Sequence, residues 1–232
     1  MAGHYTFAEF EALLKFELGE RTDLEAHGVF TNLYGEWINI AYMTLTTRDM
    51  FWGKKVMLVF PELHTSDATQ STIDGRNYLT TPSSALYIEG IWNTTDDVKL
   101  TGISWREYMG YTARANTASE AAPTLYARRG ARIYFYPQPD DEYAMTIYHR
   151  KRVNRLDGST YNYTEIGEEW DEPILRLAVA QSLVRLKRYD EIKYHQEEFL
   201  EMVGGLSSIY ANEKKDWENQ ITVSGRNVSD YK

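Results

Sequence analysis

The side chains able to carry chemistry in this chain are acids, histidines, aromatics and arginines, because it contains no cysteine. That excludes disulfides, thiolate nucleophiles and thiolate metal sites together, and it fits a reducing compartment. The five histidines, His4, His27, His64, His149 and His195, are scattered. None stands in a helical metal motif or beside another at ligand spacing, so no metal site is expected. "VGGLSS" lacks the lysine of a phosphate-binding loop and follows a helical rather than a strand pattern. Paired carboxylates could hydrolyse a glycoside if they stood about 5–10 Å apart across a sugar cleft. The candidates are Asp140, Asp141 and Glu142, or Glu168, Glu169 and Asp171. The first group falls in an expected turn and the second at an expected helix start, where acids complement the helix dipole without catalysing anything. The expectation is a protein with no enzymatic activity and no cofactor.

Recognition is the other chemistry on offer. Eighteen tyrosines and six tryptophans are unusual, and exposed aromatics beside arginine stack on sugars or bases. Most of them fall at core spacing, which points to packing or subunit contacts, with Trp92 and Trp105 as the two to examine. The densest charge lies in "RRGARIYFYPQPDDEYAMTIYHRKRV", residues 128–153. Its two alternating segments read as one hairpin turning at Pro137–Glu142, with Tyr136 facing Tyr143 and Arg129 facing Arg150. The tip would carry Asp140, Asp141 and Glu142, and the base would gather Arg128, Arg129, Arg150 and Arg152. Like charges opposed across strands disfavour pairing, so the base needs solvent or a neutralising partner. Acids of the same chain, acids of a neighbouring copy, and DNA phosphates are the three possibilities. An acidic tip and a basic base on one arm suit head-to-tail contact between identical subunits, which closes into rings.

The elements that must position these residues follow from periodicity. Thr6 and Glu9 have capping-box spacing ahead of Phe7, Phe10, Leu14 and Leu18, and Gly19 suits a helix end. "TNLYGEWINIAYMTLTTRD" carries one apolar stripe, Tyr34, Trp37, Ile38, Ala41 and Leu45. From about Lys55 to Arg155 the period changes to two, and "KKVMLVFP", "RNYLTTP", "ALYIEGIW", "DVKLTGIS", "ARIYFYP" and "EYAMTIYHR" are of strand length. Helix returns after Glu168, with Pro173 in its first turn and Asp171 or Glu172 as its cap. A last helix over "YDEIKYHQEEFLEMVGGLSSIYANEKKDW" has Gly204 and Gly205 as a possible kink. The expected fold class is α+β, a helical bundle from the N- and C-terminal helices with an inserted antiparallel β domain. The expected boundaries are 1–54 for the N-terminal helices, 55–155 for the β insertion, 156–219 for the C-terminal helices and 220–232 for an extended arm.

With 232 residues, 43% of them hydrophobic, the chain has ample material for an ordered core. Its net charge of −9 opposes general binding to a polyanion, which argues against a free-standing DNA-binding regulator. Seven of the 25 basic residues nonetheless fall within 126–155, against three of the 34 acidic ones. The longest apolar run, "VMLVF", is too short to span a membrane, and "MAGHYTFAEFEALL" lacks the pattern of a signal peptide. A soluble protein made in the cytoplasm is expected.

The order of parts resembles the adaptor proteins of the head-to-tail connector in tailed bacteriophages, which sit beneath the portal. "TFAEFEALLKFELGERTD" is similar to their opening helix and Arg-Thr-Asp turn, and "YGEWINIAYMTL" to their Trp-Ile-Asn helix. "YLTTPSSALYIEGIW" resembles the first strands, "APTLYARRGARIYFYPQPDDEYAMTIYHRK" the Pro-x-x-Tyr, Gly, Pro-x-Pro segment, and "WDEPILRLAVAQSLVRLKRYDEIKYHQEEF" the closing helical pair. The resemblance implies a non-enzymatic homo-oligomeric ring, usually of twelve copies, in the neck of the virion. Such a ring contacts the portal and the next neck or tail protein, extends the channel around the packaged DNA and gives the tail its docking surface. It also implies that the C-terminal arm, with Ile221, Val223 and Tyr231, docks on the portal or on neighbouring subunits. The long "TSDATQSTIDG" stretch and the basic arginine cluster depart from the pattern. A tail component that binds or degrades cell-wall polysaccharide is the alternative, and it requires exposed aromatics in a groove flanked by two carboxylates.

Overall fold

Thr6 opens α1 (Phe7–Glu17) with the reciprocal cap that its spacing predicts. The Thr6 hydroxyl accepts from the Glu9 N–H at 3.2 Å, and the Glu9 carboxylate accepts from the Thr6 N–H at 2.7 Å. Gly19, at φ 80°, makes the left-handed exit that an L side chain resists. This computed structural model describes residues 4–24, 32–56, 58, 60–66, 70–114 and 120–223. By its internal contacts the chain divides into two compact units, the first joining residues 1–63 to 153–216 and the second containing His64–Arg152.

The first unit is helical. α2 (Leu33–Thr47) buries its whole predicted stripe, and α4 (Asp171–Arg185) buries Ile174, Leu175, Leu177, Ala178, Val179, Ala180 and Leu183 around most of its circumference. Phe10, Leu14, Ile38, Leu45, Phe199 and Val203 complete one continuous core, the last two from α5 (Tyr189–Val223). The described residues of the predicted strand "KKVMLVFP" are not part of the large sheet. Met50–Phe51 (β1) and Lys54–Lys55 (β2) form a two-stranded ribbon, while Val56, Leu58 and Phe60 pack into the helical core, with Phe60 4.7 Å from the Trp170 ring. Apolar alternation there serves the helices' core, which period alone could not distinguish from a strand. The expected cap of α4 also differs. A 3₁₀ turn at Glu168–Trp170 runs directly into the helix, so Trp170 occupies the cap position with no side-chain bond. α5 passes through Gly204 and Gly205 without interruption. It continues to Val223, so the first four residues of the expected arm are helical; 224–232 lie outside the described residues.

The second unit is a curled mixed sheet of eight strands. These are β3 (His64–Ser66), β4 (Gln70–Ser71), β5 (Tyr78–Thr80), β6 (Ala85–Asn93), β7 (Val98–Gly102), β8 (Leu125–Arg129), β9 (Arg132–Tyr136) and β10 (Ala144–Lys151). Their order is β3-β10-β6-β7-β8-β9-β5, with β4 also paired to β10. Leu79, Ile91, Leu100, Ile133, Phe135, Met145 and Ile147 form its own core. The expected helical bundle with an inserted antiparallel domain is therefore wrong. Eight strands with a core of their own make the sheet a principal part of the molecule rather than an appendage. It is mixed because α3 (Trp105–Arg114) carries the chain from β7 over to β8, which pairs parallel to it at Gly102 and Tyr126.

The predicted hairpin is also replaced. β9 pairs with β8 through the Gly130–Ala131 turn, and β10 pairs with β6, β3 and β4. Pro137 and Pro139 donate no backbone hydrogen bond and end the ladder after Tyr136, whereas Gly130 at φ 60° supplies a tight turn one strand earlier.

Candidate functional site

In the second unit the sheet separates charge along its strands. At the end where β6 finishes, β9 finishes and β10 begins, Asp96, Asp97, Asp140, Asp141 and Glu142 are all exposed. Tyr143 donates its hydroxyl to Asp140 at 2.8 Å, and this bond with the surrounding carboxylates pushes the Tyr143 pKa up to about 12. The opposite end, where β8 and β10 finish and β9 begins, carries Arg128, Arg129, Arg132, Arg150, Lys151 and Arg152. The predicted acidic and basic groups thus stand at opposite ends, although the two strands that carry them are not partners.

The four predicted basic residues have different environments. Arg128 turns across the sheet and donates to the carbonyl of Leu86 at 2.8 Å, beyond the point at which β7 has left the ladder. Arg150 is 9% exposed, with its guanidinium 5.9 Å from the Tyr87 ring and facing His64 in the register with β3. Arg152 is exposed, and its backbone N–H bonds the Ser84 carbonyl at 2.7 Å. Arg129 lies directly opposite Arg132, the pairing that sequence reasoning assigned to Arg150. Both are exposed, and each rests on an aromatic ring, Arg129 on Trp105 at 4.7 Å and Arg132 on Tyr78 at 4.3 Å. Arg76 covers Tyr78 at 4.1 Å as well.

These rings form one connected row. Tyr78 and Tyr134 are register partners 5.8 Å apart, Tyr134 meets Trp105 edge-on at 5.0 Å, and Trp105 stacks on Tyr108 at 5.0 Å. α3 is placed over this face by the reciprocal cap of Ser104 and Glu107, at 2.8 and 3.2 Å. Burial raises the Tyr108 pKa above the ordinary tyrosine range, opposed by the amide of Asn77, which donates to its hydroxyl at 3.2 Å. Trp92 is half-buried and donates its indole N–H to Asp97 at 3.1 Å. Sequence reasoning missed Arg132 as a site residue and missed α3 altogether, though the Ser-x-x-Glu spacing at 104–107 signals it.

The remaining candidates have structural environments. Asp171 is buried and accepts from the Tyr5 N–H at 2.7 Å and the Thr164 hydroxyl at 3.0 Å, with His4 at 3.3 Å; burial raises its pKa despite these bonds. Glu168 and Glu169 lie in the 3₁₀ turn before α4. His64 lies 2.7 Å from Glu89, His149 is buried against Ser84, and His195 is 3.9 Å from Glu198. His27 and Tyr231 lie outside the described residues, and Ile221 and Val223 fall at the end of α5. Among the described residues no group of three or more acids and histidines is placed to hold a metal ion. No helix among them is long and apolar enough to cross a membrane.

Two residues outside the expected site organise the helical unit. Asn39 is 3% exposed and grips the backbone of Leu156 through both ends of its amide. Arg176 reaches Glu17 of α1 at 3.1 Å, Glu172 of its own helix at 2.9 Å and Glu198 of α5 at 3.3 Å.

No curated protein matches this sequence. The family model described as SU10 adaptor protein matches residues 5–224, which takes in both units almost from end to end. The α3 crossover lies within that match, and the chain is accordingly a member of the SU10 adaptor protein family, structural adaptor proteins of bacteriophage.

Proposed function

We propose that the chain is the head-to-tail adaptor of its virion, a non-enzymatic subunit of a ring beneath the portal that extends the DNA channel and offers the tail its docking surface. The family match over residues 5–224 carries this reading. A net charge of −9 supports it, because an acidic channel wall repels DNA and lets it slide. The separation of charge along the sheet supports assembly, since a heterologous contact repeated around an axis closes into a ring. Twelve copies match the usual portal symmetry implied by the resemblance. The C-terminal residues 220–232, with Ile221, Val223 and Tyr231, dock on the portal or on adjacent subunits in this reading. The location is the virion neck, and the neighbours are the portal and the next neck or tail protein. The aromatic row of the sheet stands beside Arg76, Arg129 and Arg132 rather than between two carboxylates, so it lends no support to a polysaccharide-cleaving role.

The test is to mix the purified chain with the portal ring of the same phage and weigh the product by native mass spectrometry, beside a chain ending at Trp217. A portal complex with a closed number of copies, lost on truncation, is expected. No association at any protein concentration would overturn the assignment.

A further inference from the structure

Arg129 and Arg132 are register partners on adjacent antiparallel strands, so their Cα atoms are about 5 Å apart and both side chains leave the same face. Two like charges in that position disfavour the pairing of β8 with β9. Among the described residues neither arginine forms an ion pair. Each guanidinium is instead laid against an aromatic ring, Trp105 for one and Tyr78 for the other. A stacked guanidinium keeps its in-plane N–H groups free, and the ring limits its rotamers, which lowers the entropy lost on binding an anion. The result is a preorganised two-armed clip for planar oxyanions, held at an exposed hairpin end.

We infer that this clip holds the acidic turn Asp140–Glu142 of a second copy of the chain. This deepens the proposed ring by naming a subunit contact, and it rests on that reading for its setting. Three observations favour this occupant. The acidic turn is exposed and, among the described residues, its carboxylates form no ion pair. It follows the far end of β9 from Arg132, and a strand of five residues spans about 17 Å, so the clip cannot take the turn of its own chain. Every copy brings one clip and one turn, giving matched donors and acceptors at equal stoichiometry, the requirement of a head-to-tail contact. Duplex DNA is the less favoured occupant, because a body of net charge −9 opposes a polyanion that must approach the rest of the surface.

The absence of native cysteine makes the contact directly measurable. Ala131→Cys, in the turn between the two arginines, and Glu142→Cys would be purified separately, mixed, and treated with a short bismaleimide, both as the chain alone and on the portal ring. Cross-linked dimer is expected from the mixture and at least tenfold less from either variant by itself. The double variant Ala131→Cys/Glu142→Cys should give a ladder of multimers. Adding Arg129→Glu and Arg132→Glu to the first partner should cut the dimer at least tenfold. Adding Asp140→Arg and Asp141→Arg to the second should restore it, which a merely misfolded variant could not do.

A mixture that cross-links no better than its components in either setting would overturn the contact, as would charge reversal without effect or a swap without rescue. Retention of duplex DNA at low salt that is lost on Arg129→Glu/Arg132→Glu, with cross-linking unchanged, would assign the clip to phosphate and likewise overturn the contact. Failure of the unaltered chain to bind the portal would count against the proposed function, whereas portal binding that survives charge reversal with unchanged cross-linking would count only against this contact.

Discussion

Replacing Asn39 by leucine tests the account of how the helical unit closes. The Asn39 amide donates to the carbonyls of Gly35 and Leu156, each at 3.0 Å, and accepts from the Leu156 N–H at 2.7 Å. Gly35 lies within α2 and keeps its helical bond, but the two polar groups of Leu156 lose a partner inside a site where Asn39 is 3% and Leu156 also 3% exposed. Leucine keeps the branched shape and adds apolar burial. Stranding a buried backbone group costs about 1–3 kcal/mol, so two groups cost about 2–6 kcal/mol. The added apolar surface returns about 1–2 kcal/mol. Central values of about 4 and about 1.5 kcal/mol leave an expected net loss of about 2.5 kcal/mol, a large part of a typical margin of about 5–15 kcal/mol. Urea unfolding followed by circular dichroism at 222 nm would show a lower midpoint with the same slope. A loss under about 1 kcal/mol at unchanged slope would refute the claim that this amide is what secures the chain's return at Leu156.

Arg176→Ala leaves Glu17, Glu172 and Glu198 facing one another; because these carboxylates are 23–34% exposed, solvent screening brings the expected loss to about 1–2 kcal/mol, and Glu198→Gln should recover part of it in the same unfolding assay. Burial lowers the His195 pKa, so its neutral form is favoured by folding; that stability is present above pH about 6.5 and is lost as the pH falls through the folded value. The unfolding midpoint should therefore drop between pH 7.5 and 5, and His195→Gln should flatten that drop, whereas parallel curves would show that His195 does not cause it. Gly102→Val places a side chain where even a Cβ would lie 3.0 Å from the Tyr126 ring, so it should displace that tyrosine and destabilise the parallel β7–β8 pair, read as faster amide exchange at Tyr126 and Ile103. Ser104→Ala should cost about 1 kcal/mol by removing the α3 cap, and it should weaken the Trp105–Tyr108 stacking signal in near-ultraviolet dichroism.

Local signals in the sequence were read correctly where one residue's chemistry decides the structure. Thr6 with Glu9, the stripe from Tyr34 to Leu45 and the exit at Gly19 depend only on neighbours within a turn or two. Strand pairing depends on distant partners, and there adjacency misled. β10 is a central strand whose Met145, Ile147 and His149 are buried, so both of its edges are taken by strands remote in sequence. The nearest alternating segment, β9, looked like its partner, yet two prolines lie between them and a better turn lies at Gly130. The charge separation could be read because it follows residue order. The clip could not, because it needs the Arg129–Arg132 register together with a helix carrying Trp105, and α3 went unread. Its Ser-x-x-Glu cap was visible, but the Tyr, Thr and Gly content of "WREYMGYTAR" resembled its strand-rich surroundings.

The register of His64 with Arg150 has a further consequence. The first residue of the continuous stretch His64–Arg152 and nearly its last are cross-strand neighbours, about 5 Å apart at Cα. The polypeptide thus departs and comes back through a doorway one strand pair wide, and the 89 residues from His64 to Arg152 form a cassette bounded by it. A protein engineer grafting a foreign sheet onto this chain would join it at those two positions, because the cross-strand register already sets the distance that its ends must span.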